Sequence, residues 1–175
     1  DFLRKNRLPV GLYHGGLEQI DREKAIDLLN NGTTPTLVST DLASRGLDID
    51  QVQAVVHYHM PSSPESWTHR NGRTARMGAD GVVYVITAEG ENIPEYIEYN
   101  RSYVPTAKSD NPITAGVVTL YFNAGKKEKI SRGDIVGYLV NKGGLEASKI
   151  GKIVVKDHCA LVAIPVDDAK STLNA

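Results

Sequence analysis

The sequence predicts an α/β fold, a parallel sheet with helices on its faces, followed by a small α+β unit, and three observations predict it. Short apolar runs bounded by turn residues alternate with helix-period segments between Val10 and Ile86, the pattern of strands joined by crossover helices. A polar stretch, residues 87–115, carries Pro94, Pro105 and Pro112 and several tyrosines, and reads as a short helix plus a linker. From Val117 the order becomes strand, helix, strand, strand, helix. No internal repeat relates the two parts, and neither contains a low-complexity tract.

The elements follow in order. Val10 to Tyr13, after Pro9, reads as a strand. Leu17 to Asn30 is helical, because Leu17, Ile20, Ala25, Leu28 and Leu29 fall within one half of a helical wheel, and Asn31-Gly32 supplies the stop. Thr36 to Ser39 and Ala54 to His59 are the next strands. Ser63-Pro64 has the form of an N-cap with proline at the first helical position, opening a helix through Trp67 and His69. Gly81 to Ile86 is the fourth strand. Beyond the linker, Val118, Leu120 and Phe122 alternate with Thr119, Tyr121 and Asn123, as in a half-buried strand. Ser131 caps a helix through Asn141, ended by Gly143-Gly144. Ile153–Lys156 and Ala160–Ile164 form a hairpin, and Asp167–Leu173 a last helix.

At 175 residues and 41% hydrophobic, the chain can bury a core and is not a disordered segment. No apolar run approaches the roughly 20 residues that span a bilayer, and no signal-peptide pattern opens the chain. A single Cys159 fits a reducing cytoplasm. The net charge of −1 hides an asymmetry: residues 1–105 carry 10 Lys/Arg against 14 Asp/Glu, and residues 106–175 carry 10 against 7. The basic part is the expected nucleic-acid surface. The opening Asp1–Arg7 has no initiator Met and reads like the last turns of a helix, which suggests a fragment.

Two stretches carry chemistry. Ser39-Thr40-Asp41-Leu42-Ala43-Ser44-Arg45-Gly46-Leu47-Asp48 runs from a strand into a loop of hydroxyl, carboxylate and guanidinium groups, at the carboxyl end of a parallel sheet, where such sheets bind ligands. Gly46 would let the backbone approach a ligand, and Thr40 offers a hydroxyl and an amide to a phosphate. A single such loop is ordinarily a surface turn. The second stretch, His69-Arg70-Asn71-Gly72-Arg73-Thr74-Ala75-Arg76, places three arginines within seven residues. On a continued helix His69, Arg73 and Arg76 share one face while Arg70 points aside. A charge run is usually a solvated face, but this one is expected to have few acids nearby to neutralise it. Paired arginines aimed at a polyphosphate stabilise charge on a transferring phosphoryl group.

Together these stretches resemble the DEAD-box RNA helicases: the first corresponds to their motif V, the second to their motif VI, and His14-Gly15-Gly16 with Gln19 and Arg22 resembles the motif preceding V. The resemblance covers nearly all of residues 8–87 and implies a RecA-like domain, N-terminally truncated, over residues 1–105, with a linker to about residue 116. It implies that Arg73 and Arg76 are arginine fingers reaching the ATP γ-phosphate, that Gly46 and Asp48 contact the nucleotide's ribose and phosphates, and that His69 couples the nucleotide site to the other motor domain. Gly15, Arg22 and Thr40 would hold the RNA sugar-phosphate chain, and Arg45 would touch RNA or bridge the two motor domains. Ala75 replaces the glycine of the commonest motif VI, and Gly16 stands where an acid is common; neither removes a charged catalytic group. Neither a phosphate loop nor an Asp-Glu-Ala-Asp run is present. ATP and Mg2+ are therefore expected to be held mainly by a first RecA-like domain outside this sequence, and the strand that should open the present domain, an inner one of its sheet, is likewise expected upstream of Asp1. The fragment alone is expected to be inactive.

Tyr121-Phe122-Asn123-Ala124-Gly125-Lys126-Lys127, Gly133-Asp134-Ile135-Val136-Gly137 and Ile150-Gly151-Lys152-Ile153 resemble the DbpA-type RNA-binding domain, implying an RRM-like unit over residues 117–175. Gly133 and Gly137 are expected to allow close backbone packing, and Ile135, Val136 and Leu139 to pack the helix on the sheet. Lys126, Lys127, Lys129 and Arg132 cluster after its first strand and are expected to meet RNA phosphates. Lys142, Lys149, Lys152 and Lys156 add charge elsewhere. Tyr121 is the one convincing sheet aromatic, so loops and helix ends are as good a surface for RNA as the sheet face. Asp157-His158-Cys159 reads as a structural turn rather than a metal site. The expected activity is that of an ATP-dependent RNA helicase, with ribosome assembly or RNA remodelling as its setting. A non-catalytic RNA-binding module derived from a helicase and a DNA helicase are the rivals. No membrane role is expected.

Overall fold

The computed structural model describes residues 2–44, 49, 52–74, 81–105 and 113–175. The chain forms two compact units that interleave along the sequence, one built from residues 1–12, 18–38 and 112–175, the other from residues 13–17 and 39–111.

In the first unit a short helix α1 (Phe2–Lys5) precedes β1 (Val10–Tyr13), which pairs with β2 (Thr36–Ser39). Helix α2 (Gln19–Asn30) connects them. Gly11 fits closely there: a Cβ would come within 3.1 Å of the Leu37 side chain, which would have to give by a few tenths of an ångström. The predicted stop for α2 is present: Asn31 and Gly32 donate their amides to Asp27 O and Leu29 O, and Gly32 has φ +79, a conformation cheap only for glycine. The predicted wheel is less accurate. Leu17 lies outside the helix, Ala25 is its buried side chain and Ile20 is 74% exposed.

The rest of this unit is a three-stranded antiparallel sheet in the order β5-β7-β6, with β5 at Val117–Phe122, β6 at Ile153–Val155 and β7 at Ala160–Pro165. The central strand β7 buries Ala160, Val162, Ala163 and Ile164. Helix α4 (Arg132–Asn141) lays Ile135 and Leu139 against Leu120, Val162 and Ile164, joined by Leu145. Each such side chain contributes about 1.5–3 kcal/mol on burial. Ser131 and Asp134 form a reciprocal capping box: Ser131 Oγ accepts from Asp134 N–H, and Asp134 Oδ2 accepts from Ser131 N–H at 2.8 Å. Helix α5 (Val166–Asn174) closes the unit. Gly133 and Gly137 do not serve close packing, because a Cβ at either would meet nothing nearer than 3.6 Å. The close approaches fall instead at Gly125, Gly143 and Gly151.

In the second unit β3 (Ala54–His57) runs parallel to β4 (Val82–Val85), with Ala54 opposite Val82 and His57 opposite Val85. Helix α3 (Pro64–Asn71) starts as predicted, with Ser63 Oγ accepting the Ser66 amide and proline at N1. The expected helix within residues 87–115 is absent among the described residues; residues 87–105 form turns and coil, secured by buried Ile97 and by Tyr96 Oη donating to Pro61 O at 2.6 Å.

Candidate functional site

The strand end after β2 turns at once into a single 3-10 turn, Asp41–Ser44. Thr40 starts it, its amide bonded to Tyr13 O at 3.3 Å and its carbonyl accepting the Ala43 amide. The Thr40 amide predicted to serve a phosphate is thus already engaged, and its hydroxyl remains the group available to a ligand. Buried Ala43 roots the turn.

Asp41 joins this turn to α3. Arg70 Nε and Nη2 donate to the two Asp41 carboxylate oxygens at 2.5 and 3.0 Å, and Nη1 donates to His59 O at 3.1 Å. Arg70 therefore does point aside from His69, but into a bidentate clamp, and the arginine-rich stretch has an acid beside it after all. The two groups lie 29 residues apart in sequence, so inspection of the stretch alone could not find the pair. Asp41 is more than half exposed, and a pair so open to water contributes under about 1 kcal/mol. Its consequence is geometric: a forked two-point bond fixes the turn against the helix.

Beneath that clamp, His57 is buried, stacked at 4.8 Å on Trp67, and its Nε2 donates to Asn71 Oδ1 at 2.8 Å. Burial pushes its pKa below the ordinary histidine value, against the smaller opposing pull of Asn71. Asn71 is also where α3 ends, with Gly72 as its cap. Arg73 is thus beyond the helix, so His69 and Arg73 do not share a face of α3. The chain at Arg73–Thr74 is instead pinned to the segment before β3: Arg73 O accepts the Val52 amide, and Thr74 Oγ1 donates to Val52 O at 2.8 Å. Arg73 is part-buried, its Nε shielded from solvent. Arg45, Gly46, Asp48 and Arg76 lie outside the described residues.

His69 is exposed on α3 and lines a groove of about 490 Å3 with Asp41, Leu42, Ser62, Ser63, Glu65 and Ser66. The Glu65 carboxyl is held below its usual pKa, first by its own backbone amide and then by Ser63. A Cβ at Gly15 would meet nothing within 4 Å, so its backbone is open. (Gly15 itself belongs with residues 13–17.) Arg22 is organised by α2, its guanidinium donating to Gln19 Oε1 at 2.8 Å.

Among the basic residues of the small sheet region, Lys126, Lys127, Lys129 and Arg132 are all exposed, in a turn and the first helical residue after it. Lys149 and Lys156 are less available, paired with Asp168 and Asp27 respectively. Tyr121 is 64% exposed on β5, so it is not packed. Asp157-His158-Cys159 sits in the β6–β7 turn, where His158 Nδ1 lies 2.9 Å from Glu128 Oε1. No group of three potential metal ligands occurs among the described residues, and none of their helices is long and apolar enough to cross a membrane.

Comparison with known proteins accounts for both regions. Residues 1–78 match the helicase conserved C-terminal domain, and residues 119–175 match the DbpA RNA binding domain. The class so defined is half of a helicase motor joined to an RNA-binding module. The chain is 38% identical over 158 residues to the ATP-dependent RNA helicase DbpA of Escherichia coli (strain K12), covering 86% of this chain and 35% of that protein. It is 32% identical over 185 residues to the DbpA of Bacillus subtilis (strain 168), covering 89% of this chain and 39% of that one. The C-terminal domain of the DEAD-box protein Dbp5 superposes with a TM-score of 0.46 at 32% identity, over 51% of this chain and 53% of that chain. This chain belongs to the DEAD-box ATP-dependent RNA helicase family, of which it carries the C-terminal RecA-like domain and a DbpA-type RNA-binding domain. It spans well under half the length of the DbpA relatives it matches.

Proposed function

We propose that the full-length protein is an ATP-dependent RNA helicase that separates short RNA duplexes, acting in the cytoplasm in ribosome assembly or related RNA remodelling. Residues 1–105 form its second motor domain and residues 117–175 a tether for structured RNA. The observation that carries this reading is the Asp41–Arg70 clamp. It ties the turn that the family resemblance assigns to RNA and nucleotide to the helix leading into Arg73.

In this reading Arg73 and Arg76 approach the γ-phosphate of ATP held mainly by the first motor domain, stabilising charge as the phosphoryl group leaves. Gly46 and Asp48 face the nucleotide, and His69 relays its presence to the partner domain across the groove it lines. Gly15, Arg22, Thr40 and Arg45 hold the RNA sugar-phosphate chain, a contact that positions without reading bases. Magnesium accompanies ATP; no ligand to it is assigned in this chain. Lys126, Lys127, Lys129 and Arg132 bind RNA phosphates and raise the motor's effective concentration on its substrate.

Strand separation by the full-length protein tests this directly. ATP-dependent unwinding of a short RNA duplex, with a DNA duplex of the same sequence left intact, is expected. Equal activity on DNA would contradict the RNA assignment.

A further inference from the structure

Three lysines within four residues repel one another, and such a turn would ordinarily be loose. This one is built in. A Cβ at Gly125 would lie 2.2 Å from Lys156 O and 2.7 Å from Asp157 O, so only glycine admits the approach. Across that contact the Lys126 amide donates to Lys156 O and the Lys127 amide to Asp157 O, both at 2.9 Å. Glu128 fastens the turn on both sides: Oε2 accepts the Gly125 amide at 2.8 Å, and Oε1 meets His158 Nδ1 at 2.9 Å. The Ile130 amide closes the loop onto Gly125 O, and its side chain packs on the core.

Lys129 supplies an independent sign. Its φ is +62, the left-handed region where glycine or asparagine is the usual occupant and a long side chain costs energy. Its amide donates to Lys126 O at 3.0 Å, so the turn itself requires this conformation. A turn selected only for shape would carry glycine here. Strain retained at one residue points to a task for its side chain.

We propose that Gly125 and Glu128 are positioning residues that clamp the turn onto the β6–β7 turn, so that Lys126, Lys127, Lys129 and His158 present one preorganised cationic face to RNA phosphates. This deepens the reading of the lysine turn as an RNA contact, and rests on it. Ordering the lysines before binding removes an entropy cost that a loose turn would meet at the moment of contact. The role of Glu128 has an unusual signature. An acid beside a phosphate site weakens binding by charge alone, so its removal should tighten binding unless its positioning effect is larger.

The test uses the full chain and a labelled hairpin RNA with a single-stranded tail, measured over a range of salt concentrations. Glu128→Ala should bind about three- to ten-fold more weakly. Glu128→Gln should bind more tightly than Glu128→Ala and close to wild type, since its amide can accept from Gly125 N–H and donate to neutral His158 Nδ1, the lost acid offsetting the lost imidazolium. Lys129→Gly should relieve the backbone, leaving the melting temperature unchanged or higher, yet bind more weakly with a salt slope reduced by roughly 0.7–0.9; Lys129→Arg should restore both. Tighter or unchanged binding by Glu128→Ala would overturn the positioning role. Lys129→Gly with wild-type affinity and slope would overturn the role of the strained residue. The triple change of Lys126, Lys127 and Lys129 to Ala separates the two levels. If it leaves affinity and slope intact, the lysine turn is no RNA contact and the underlying reading fails. If it weakens binding while Glu128→Ala does not, only the clamp fails.

Discussion

The sheet β5-β7-β6 and the pair β3-β4 are held by different physics. The first has a continuous apolar core, with Ile135, Leu139, Val162 and Ile164 almost wholly buried. The second has two strands whose side chains remain largely open: Val56 is 55% exposed and Val82 49%. Its ordered contacts are polar, namely the Asp41–Arg70 clamp, the His57–Asn71 bond and Thr74 on Val52 O. A two-stranded sheet is marginal by itself, whereas three strands covered by helices can stand alone. The difference teaches that the β5-β7-β6 sheet is held by apolar burial, while the β3-β4 pair relies on polar contacts that fix geometry.

The largest effect belongs to the motor half. In the full-length protein Arg73→Ala or Arg76→Ala should lower ATP turnover by roughly three to five orders of magnitude, as for other arginine fingers. Steady-state hydrolysis within a few-fold of wild type would remove that role. The contrast in packing comes next. Leu139→Ala should destabilise the module by about 2–5 kcal/mol, as deletion of a buried leucine does. Val56→Ala should cost under about 1 kcal/mol. Denaturant unfolding that ranks these two the other way would break the comparison.

Smaller effects sharpen it. Replacing Lys126, Lys127 and Lys129 together by Ala should flatten the salt dependence of RNA binding by roughly two units of slope. The two histidines give opposite pH signs. His57 is held below its ordinary pKa by burial, so the unfolded chain takes up its proton more readily. The stability it permits is present above about pH 6.5 and declines as pH falls. His158 is raised, chiefly by its bond to Glu128 and further by Asp157. Its contribution is complete below about pH 6.5 and is lost as pH rises through its folded value. RNA binding should therefore strengthen on mild acidification, and His158→Ala should abolish that response relative to wild type. An identical pH profile in the variant would exclude His158.

Local periodicity made most elements legible. Alternation found β5 because one face of it meets a core, and Ser63-Pro64 and Ser131 marked helix starts through their own cap geometry. Reading failed where the chain meets itself at long range. The predicted arginine face ran past Asn71-Gly72, where the helix stops in favour of the pins to Val52. Gly133 and Gly137 looked structural beside one another, yet the glycines under pressure are those such as Gly125, approached by a carbonyl 31 residues away. Asp41 stood in plain view within its motif, but its partner could be seen only in three dimensions. The apolar run of α2 misled at Ile20 because a short helix covered on one side buries fewer side chains than its wheel allows.

RNA-stimulated ATP hydrolysis by the full-length protein, compared with and without residues 117–175, tests the division between a motor and its tether most directly. Removal of the module should raise the structured-RNA concentration needed for half-maximal stimulation and leave the maximal rate near that of the intact protein. A collapsed maximal rate at saturating RNA, or an unchanged RNA requirement, would contradict it.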